Sequence, residues 1–463
     1  MNLEQRLDSQ RKAWQKELPV TAETRIDRLD RAIDLLLEND EKLCDAMAED
    51  FGQRPRVMSQ FTDTLPSVKA LKHAKKHVRQ WMRRERRPME FPLNLLGGKA
   101  WVEYQPKGVV GLICPWNFPV YMAFGPLAGI LAAGNRCMIK PSEMTPATSQ
   151  LMAELIADAF DPDEIDVFCG DASVGQAFSA LPFDHMFFTG STAVGKHIMR
   201  AAAENLTPVT LELGGKSPTI IGEGADLTRA AQSIVLGKTM NAGQICLAPD
   251  YVYVQEQELN PFLERFSNEL NNAFPTEKGT EDYTTIINDR HQQRLAGLVE
   301  DAVNAGVEVR SLGPEGASCP VQVAINPPES AAIMREEIFG PLLPVRTYQS
   351  LDQVIEYVNA NPRPLALYYF GPDRAAHRQL LDRTLSGGAT LNDVIFHIAV
   401  EDLPFGGTGA SGIGHYHGHD GFKTFSHAKA VMQQSPLRIG KLLGILPPYG
   451  SRLKTVLKTE LRK

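Results

Sequence analysis

The chain has 463 residues, 43% of them hydrophobic and 22% charged, which fits several globular units and excludes a wholly disordered, collagen-like or coiled-coil protein. Lys plus Arg is 48 against 55 for Asp plus Glu, and a net charge of -7 argues against a general nucleic-acid binder, which needs a basic surface. Six cysteines (Cys44, Cys114, Cys137, Cys169, Cys246, Cys319) lie scattered with no C-x-x-C pair, so neither a disulfide scaffold nor a zinc knuckle is expected and a reducing compartment is.

The chain opens Met-Asn-Leu-Glu-Gln-Arg-Leu-Asp, charged and without the apolar stretch of a secretory signal, which predicts a cytoplasmic protein. Thr21 to Asp50 reads as helix, with Ile26, Leu29, Ile33, Leu36 and Leu37 on one apolar stripe. The basic run from Lys69 to Arg87 is either a patch for an anionic partner or a solvated helix face with Trp81 turned inward; the acidic whole favours the second. No charge lies between Lys107 and Arg136, a length that suits a membrane span. Pro115, Asn117, Pro119 and Pro126 break it, however, so buried core around something polar is the better reading.

Beyond Trp101, β-rich runs alternate with helical ones. Strands are expected at Val109 to Ile113, Cys137 to Lys140, Asp166 to Cys169, His185 to Phe188 and Val209 to Leu213, with helices at Met144 to Ala159 and Thr192 to Ala203. This βαβαβ order predicts an α/β fold with a doubly wound parallel sheet, and a second alternating region follows from Ser217 to Asn392. Pro and Gly cluster again at Leu403 to Gly414. The basic tail carries Leu453, Leu457 and Leu461 at helical spacing, predicted to pack on a partner subunit rather than to enter a membrane.

Several short motifs offer chemistry. Phe188-Thr-Gly190-Ser191-Thr-Ala-Val-Gly195-Lys-His197 follows a strand and opens a helix, a place where free N–H groups meet phosphate. His197 stands where a P-loop needs Ser or Thr, so an NTPase is rejected, and the glycines serve either a phosphate or a tight turn. Lys140-Pro-Ser-Glu143 at a strand end is either a ribose-binding pair or a plain loop. Glu212 inside a hydrophobic strand is either a buried carboxyl readied for proton transfer or a salt-bridged core residue. Cys246 sits in the Gly-containing loop Asn241 to Pro249, polar upstream and apolar beyond. His415, His417 and His419 resemble a metal tract but lack Cys or carboxylate partners at a ligand spacing, so no metal is assigned. The nucleophile elbow G-x-S-x-G of serine hydrolases is absent.

Jointly, Pro115-Trp116-Asn117-Phe118-Pro119, Lys140 to Glu143, Phe188 to Ser191, Leu211-Glu-Leu-Gly-Gly-Lys216, Gly243-Gln-Ile-Cys246, Glu336-Glu337-Ile-Phe339-Gly-Pro341 and Pro404-Phe-Gly-Gly407 resemble the aldehyde dehydrogenase superfamily, in its order and across nearly the whole chain. The short N-terminus, Ala248-Pro-Asp-Tyr251 and His-Tyr-His-Gly418 resemble the class 3 branch, and most the bacterial coniferyl aldehyde dehydrogenases. The resemblance implies a Rossmann-type cofactor domain (1–82 and 107–213), an α/β catalytic domain (214–408) and a small β oligomerisation arm with a C-terminal tail (83–106 and 409–463). It also implies a homodimer, with no nucleic acid and no stable membrane insertion.

The implied activity is NAD-dependent oxidation of an aldehyde to the acid. Cys246 would attack the aldehyde, Asn117 and the Cys246 N–H would hold the oxyanion, and Glu212 would activate water against the thioester left by hydride transfer. The thiol would need a lowered pKa or a base. For the cofactor, Lys140 and Glu143 would bind the adenosine ribose, Trp116, Gly190, Ser191 and Gly195 the pyrophosphate region, Glu337 the nicotinamide ribose and Phe339 the ring. The Glu143 carboxylate favours NAD over NADP by charge, with NADP still possible through Lys140. Ile245 in place of the usual Thr, and Thr239 in place of an apolar residue, put the substrate in question; Tyr121, Phe396 and His397 suggest an aromatic wall and hence coniferaldehyde. The alternatives are a medium- or long-chain alkanal dehydrogenase, a CoA-acylating enzyme and a non-catalytic protein on this fold.

Overall fold

A computed structural model describes residues 2–90, 93–435, 437, 439–442 and 444–462. Its strands in chain order are β1 (Glu85–Arg87), β2 (Lys99–Pro106), β3 (Val109–Ile113), β4 (Arg136–Lys140), β5 (Ile165–Val167), β6 (His185–Thr189), β7 (Val209–Glu212), β8 (Pro218–Ile221), β9 (Tyr251–Gln255), β10 (Glu308–Gly313), β11 (Val321–Ile325), β12 (Leu342–Tyr348), β13 (Ala366–Phe370), β14 (Gly388–Leu391), β15 (Gly412–Ile413) and β16 (Ser426–Gln433).

They form three sheets. One has the order β15-β7-β6-β3-β4-β5 and is parallel except for β15. The second runs β10-β11-β12-β9-β8-β13-β14, parallel except for β10. The third is the antiparallel β1-β2-β16. β3, β4 and β13 are buried at every position, as helices on both faces of a parallel sheet require, which is why they read as unbroken apolar runs. In the first sheet β4 and β5 lie to one side of β3 while β6 and β7 lie to the other. The strand order reverses between β3 and β6, and open α/β sheets bind ligands at the carboxyl ends of strands at such a point.

The uncharged segment resolves into β3, a loop and the buried helix Tyr121–Ala133, ended by Gly134 in the left-handed conformation. The helix Ala22–Glu38 is capped by Thr21 and buries Leu29, Ile33 and Leu36, but Leu37 is 52% exposed and does not belong to the stripe. The basic run supplies the solvated face of helix Leu65–Trp81, where Lys75 pairs with Asp30 and Arg79 with Glu23, while Trp81 turns inward. Its indole packs against His77, His419 and Phe422.

The histidine tract is split three ways. His417 is buried with its Nε2 3.0 Å from the Tyr121 hydroxyl, His419 stacks on Trp81, and His415 lies 3.7 Å from Asp420. The segment from 409, expected as arm and tail, is shared out likewise. Gly412–Ile413 pair with β7, helix Gly418–Thr424 packs through Phe422 on Trp81, and only β16 joins β2 in the small sheet. Beyond it, helix Ser451–Glu460 leaves Val456 and Leu457 exposed. No helix among the described residues is long and apolar enough to cross a membrane.

Trp81→Ala removes a stacked, nearly buried indole and is expected to cost about 3 kcal/mol or more of stability, read as a lowered urea midpoint. Lys76→Ala, on the solvated face of the same helix, should leave the midpoint within about 0.5 kcal/mol of the wild type.

Candidate active site

The loop that leaves β3 and the loop that holds Cys246 are tied to each other. Asn117, buried, donates from Nδ2 to the Gln244 carbonyl at 3.1 Å, and its own carbonyl accepts from Asn241 Nδ2 at 3.0 Å and from Arg54 Nη1 at 3.1 Å. Gln244 is fixed in turn by the carbonyls of Asn241 and Thr285 and the N–H of Ile287. Ahead of the cysteine the backbone takes left-handed φ at Asn241 (49°), Ala242 (53°) and Gly243 (71°). A Cβ on Gly243 would stand 2.6 Å from the Gly340 carbonyl oxygen, so only glycine fits there. These interlocked turns put Asn117 and Cys246 on one cavity wall.

That cavity measures about 670 Å³ and opens along the carboxyl ends of β3, β6 and β7. Trp116, Asn117, Gly190, Ser191, Glu212, Cys246, Glu337 and Phe339 all line it. A second, narrower cavity of about 140 Å³ lies on the other side of Cys246, walled by Phe118, Tyr121, Ile245, Phe396 and other apolar groups. Cys246, Met122 and Ile398 are the residues common to both.

Glu212 ends β7, is only 3% exposed, and neither carboxyl oxygen has a partner among the described residues. The salt-bridged core alternative is therefore not what the structure holds. Burial pushes this carboxyl well above its ordinary range. Glu337 is likewise pushed up to about 7, by burial first and with Asp250 adding, while the Gly215 N–H, Lys216 and Arg294 pull it down. Its Oε1 has no partner among the described residues, and a Cβ on Gly214 would fall 2.2 Å from that oxygen. The Cys246 thiol is raised too, by burial and then by the charges of Glu337 and Glu212. The lowered thiol pKa, one of the two expected routes to a nucleophile, is not supplied by these surroundings.

The Glu337 loop is braced from below. Lys216 pairs with Asp250 and donates to the carbonyls of Ile333 (2.8 Å) and Glu336 (2.9 Å); Asp250 accepts from the Ile338 N–H at 2.9 Å. Arg294 donates to the Glu337 carbonyl at 3.2 Å. Phe339, at φ 47°, meets the Trp116 ring edge-on with centroids 5.4 Å apart.

Gly190 donates its N–H to the Glu212 carbonyl at 3.0 Å, and Ser191 caps helix Thr192–Ala203 by accepting from the Val194 N–H. Gly195 does not reach the cavity wall: it lets the helix settle on Leu213, whose Cδ2 a Cβ would meet at 2.8 Å. Lys140 and Glu143 lie off the main cavity, at the end of β4, with Nζ and Oε2 2.8 Å apart. Burial opposes ionisation of Glu143, but the Lys140 hydrogen bond, a backbone N–H and the Lys140 charge together hold the carboxyl below its ordinary value. Two expected tunnel neighbours face elsewhere. The Thr239 hydroxyl turns back to the Val235 carbonyl at 2.8 Å, and His397 bonds to Thr390 and stacks on Phe405.

Sequence reasoning missed the support beneath Asn117. Arg54 and Asp63, both wholly buried, pair at 2.6 Å, and Asp63 Oδ1 accepts the N–H groups of Val120 and Tyr121 at 3.1 Å each. It thereby caps the helix that starts at Tyr121. Nothing local marks such a pair; only the fold brings residues 54, 63 and 117 together. Tyr416, buried between Phe187 and Phe405, also lines the main cavity and was hidden inside the histidine tract.

Residues 3–431 match the aldehyde dehydrogenase family. The chain belongs to that family. It is 49% identical to a protein of Caulobacter vibrioides described as a probable coniferyl aldehyde dehydrogenase, over 99% of this chain and 96% of the relative. It is also 49% identical to the coniferyl aldehyde dehydrogenase of a Pseudomonas species, over 98% of this chain and 95% of that one. Among solved structures, the substrate-bound state of Staphylococcus aureus AldH superposes over 100% of both chains with a TM-score of 0.92 at 34% identity. As an aldehyde dehydrogenase the protein oxidises an aldehyde with a nicotinamide cofactor, and its fold is the family's α/β architecture of parallel sheets.

Asp63→Ala strips the helix cap and leaves the Arg54 guanidinium buried without its partner, a loss of about 3–5 kcal/mol. Chemical denaturation should show that loss, and at temperatures where the variant stays folded kcat should fall as the Asn117 loop loses its anchor.

Proposed function

We propose that the enzyme oxidises an aromatic aldehyde such as coniferaldehyde to its acid with NAD, by covalent catalysis at Cys246. The observation that carries this reading is the position of the thiol on the wall shared by an apolar cavity and a cavity lined by two buried carboxylic acids.

The aldehyde chain or ring enters the apolar cavity, and Cys246 Sγ attacks its carbonyl carbon. The S–C bond forms, the carbonyl electrons move to oxygen, and the thiol proton leaves to a carboxylate of the facing pair and from there to solvent, so that the carboxylate is ionised again. One N–H of the Asn117 amide is engaged by the Gln244 carbonyl; the other, with the Cys246 backbone N–H, receives the oxyanion. Loss of one such donor typically costs about 3 kcal/mol of transition-state stabilisation. A bound oxidised nicotinamide supplies the hydride acceptor, so that an acyl group remains on sulfur. Glu212, unpartnered and of raised pKa, then takes a proton from water as the water oxygen adds to the acyl carbon. The C–S bond breaks, the acid departs, and the proton returns to sulfur.

The residues present suit the cofactor. Gly190 and Ser191 open a helix of 12 residues at the switch point, and Lys140 and Glu143 form an ionised pair beside it. Glu337 offers an oxygen with no partner, and the missing Cβ of Gly214 leaves that oxygen room. Trp116 and Phe339 give the ring an apolar boundary. Gly195 acts indirectly, by seating the helix. The ionised Glu143 disfavours a 2′-phosphate, which supports NAD over NADP. We further assign residues 1–82 and 107–213 to the cofactor domain and 214–408 to the catalytic domain. The small sheet and the exposed apolar residues of the last helix serve a homodimer, and free cysteines throughout suit the reducing cytoplasm.

Cys246→Ala should abolish NADH formation while NAD still quenches tryptophan fluorescence, whereas unchanged turnover refutes the mechanism. Glu212→Gln should give one rapid burst of NADH per site and slow turnover after it. In a kcat/KM comparison, coniferaldehyde should be favoured over an alkanal of similar length; a strong preference for the alkanal supports the aliphatic reading instead. Glu337 binds ribose hydroxyls as the carboxylate, and its folded pKa of about 7 means the protonated form dominates below that value. The affinity for NAD should therefore rise about tenfold from pH 6 to pH 8, and Glu337→Gln should flatten the dependence.

A further inference from the structure

The apolar cavity contains a charge that the thiol chemistry does not use. Most of its wall is hydrocarbon, from Phe61, Leu65, Phe118, Met240, Ile245 and Phe396. Its polar groups are largely committed. The Thr62 hydroxyl donates to the Met58 carbonyl at 2.7 Å and accepts from Arg54 at 2.9 Å, and the Tyr121 hydroxyl is paired with His417 at 3.0 Å. Besides Cys246 itself, this leaves Lys69, exposed, and Glu401, half-buried. The Glu401 carboxyl has neither a hydrogen bond nor a close ion pair with any described residue. Burial first, and the neighbouring Asp402 second, push it up to about 7 against the pull of Lys69.

A plain hydrocarbon in this cavity would shed the water around Glu401 and return nothing to it, which is costly for a carboxyl. A ligand carrying an O–H at the end away from its aldehyde would replace that water bond for bond. An aromatic ring suits the rest of the wall, which Phe118 and Phe396 help to line.

We propose that Glu401 is a specificity-determining residue whose carboxyl oxygen accepts the hydrogen bond of a ring hydroxyl on an aryl aldehyde held with its carbonyl at Cys246. The proposal rests on the aromatic-substrate reading above and deepens it, from aryl aldehydes in general to ring-hydroxylated ones. Lys69, on the same wall, favours the ring oxygen by its charge.

The test measures kcat and KM for coniferaldehyde, its 4-O-methyl ether and unsubstituted cinnamaldehyde, in the wild type, Glu401→Leu and Glu401→Gln. The wild type should prefer coniferaldehyde over both others by about tenfold or more in kcat/KM. Glu401→Leu should bring the ratios close to one by raising KM for coniferaldehyde alone, with kcat for cinnamaldehyde kept as evidence of an intact site. Glu401→Gln, which still accepts a hydrogen bond, should retain part of the preference. Equal use of all three aldehydes by the wild type, or a preference that survives Glu401→Leu, overturns the assignment while leaving an aromatic substrate in place. Oxidation of alkanals with none of the three aryl aldehydes accepted overturns both readings.

Discussion

The buried pair of Arg54 and Asp63 is the constraint on which the site depends. Two charges at 2.6 Å, both without solvent, are worth keeping only if much of their remaining hydrogen-bonding capacity is also used, and here it is, although the Arg54 Nε has no partner among the described residues. Arg54 holds the carbonyl of Asn117 and the hydroxyl of Thr62; Asp63 holds the first N–H groups of the helix that begins at Tyr121. One side of this knot is the wall of the larger cavity and the other is the wall of the apolar cavity. The loop after β3 cannot move without breaking it, so the Asn117 amide is fixed in advance, as the oxyanion role proposed for it requires.

Acidity held down by burial is the second theme. Glu212, Glu337 and Cys246 all lean toward their neutral forms because each is removed from water, and the thiol further because the charges of Glu337 and Glu212 oppose its ionisation. Proton movement between thiol, water and carboxyl is then cheap, while free thiolate is scarce. The loop of Glu337 stays in place despite this because Lys216, Asp250 and Arg294 grip its backbone rather than its carboxylate alone.

Much of the fold could be read from the chain. Val109–Ile113 and Thr192–Ala203 have the bounds expected of them, since a buried parallel strand is a short apolar run and a helix after Ser191 has a capping residue at its start. Residues just past sequence-marked strands, Trp116, Asn117, Gly190 and Ser191, with Glu212 at the end of its strand and the loop residue Cys246, line one cavity. What escaped reading is direction and long-range pairing. Leu37 follows a stripe residue but faces out, and Thr239 and His397 neighbour tunnel residues yet bond to Val235 and Thr390. Arg54, Asp63 and Glu401 carry no local signature, because a charge is distinguished from any surface charge only by what the fold folds over it. Nothing local in the chain marks Gly412 and Ile413 either, which close the edge of the first sheet beside Glu212.

The central claim is that the acyl group is carried on Cys246 and released by Glu212. Its most direct test is mass spectrometry of Glu212→Gln quenched shortly after mixing with coniferaldehyde and NAD. The account predicts a feruloyl group in thioester linkage on the peptide that contains Cys246, removed by hydroxylamine. NADH formation with no adduct, or an adduct on any of the other five cysteines, would contradict it.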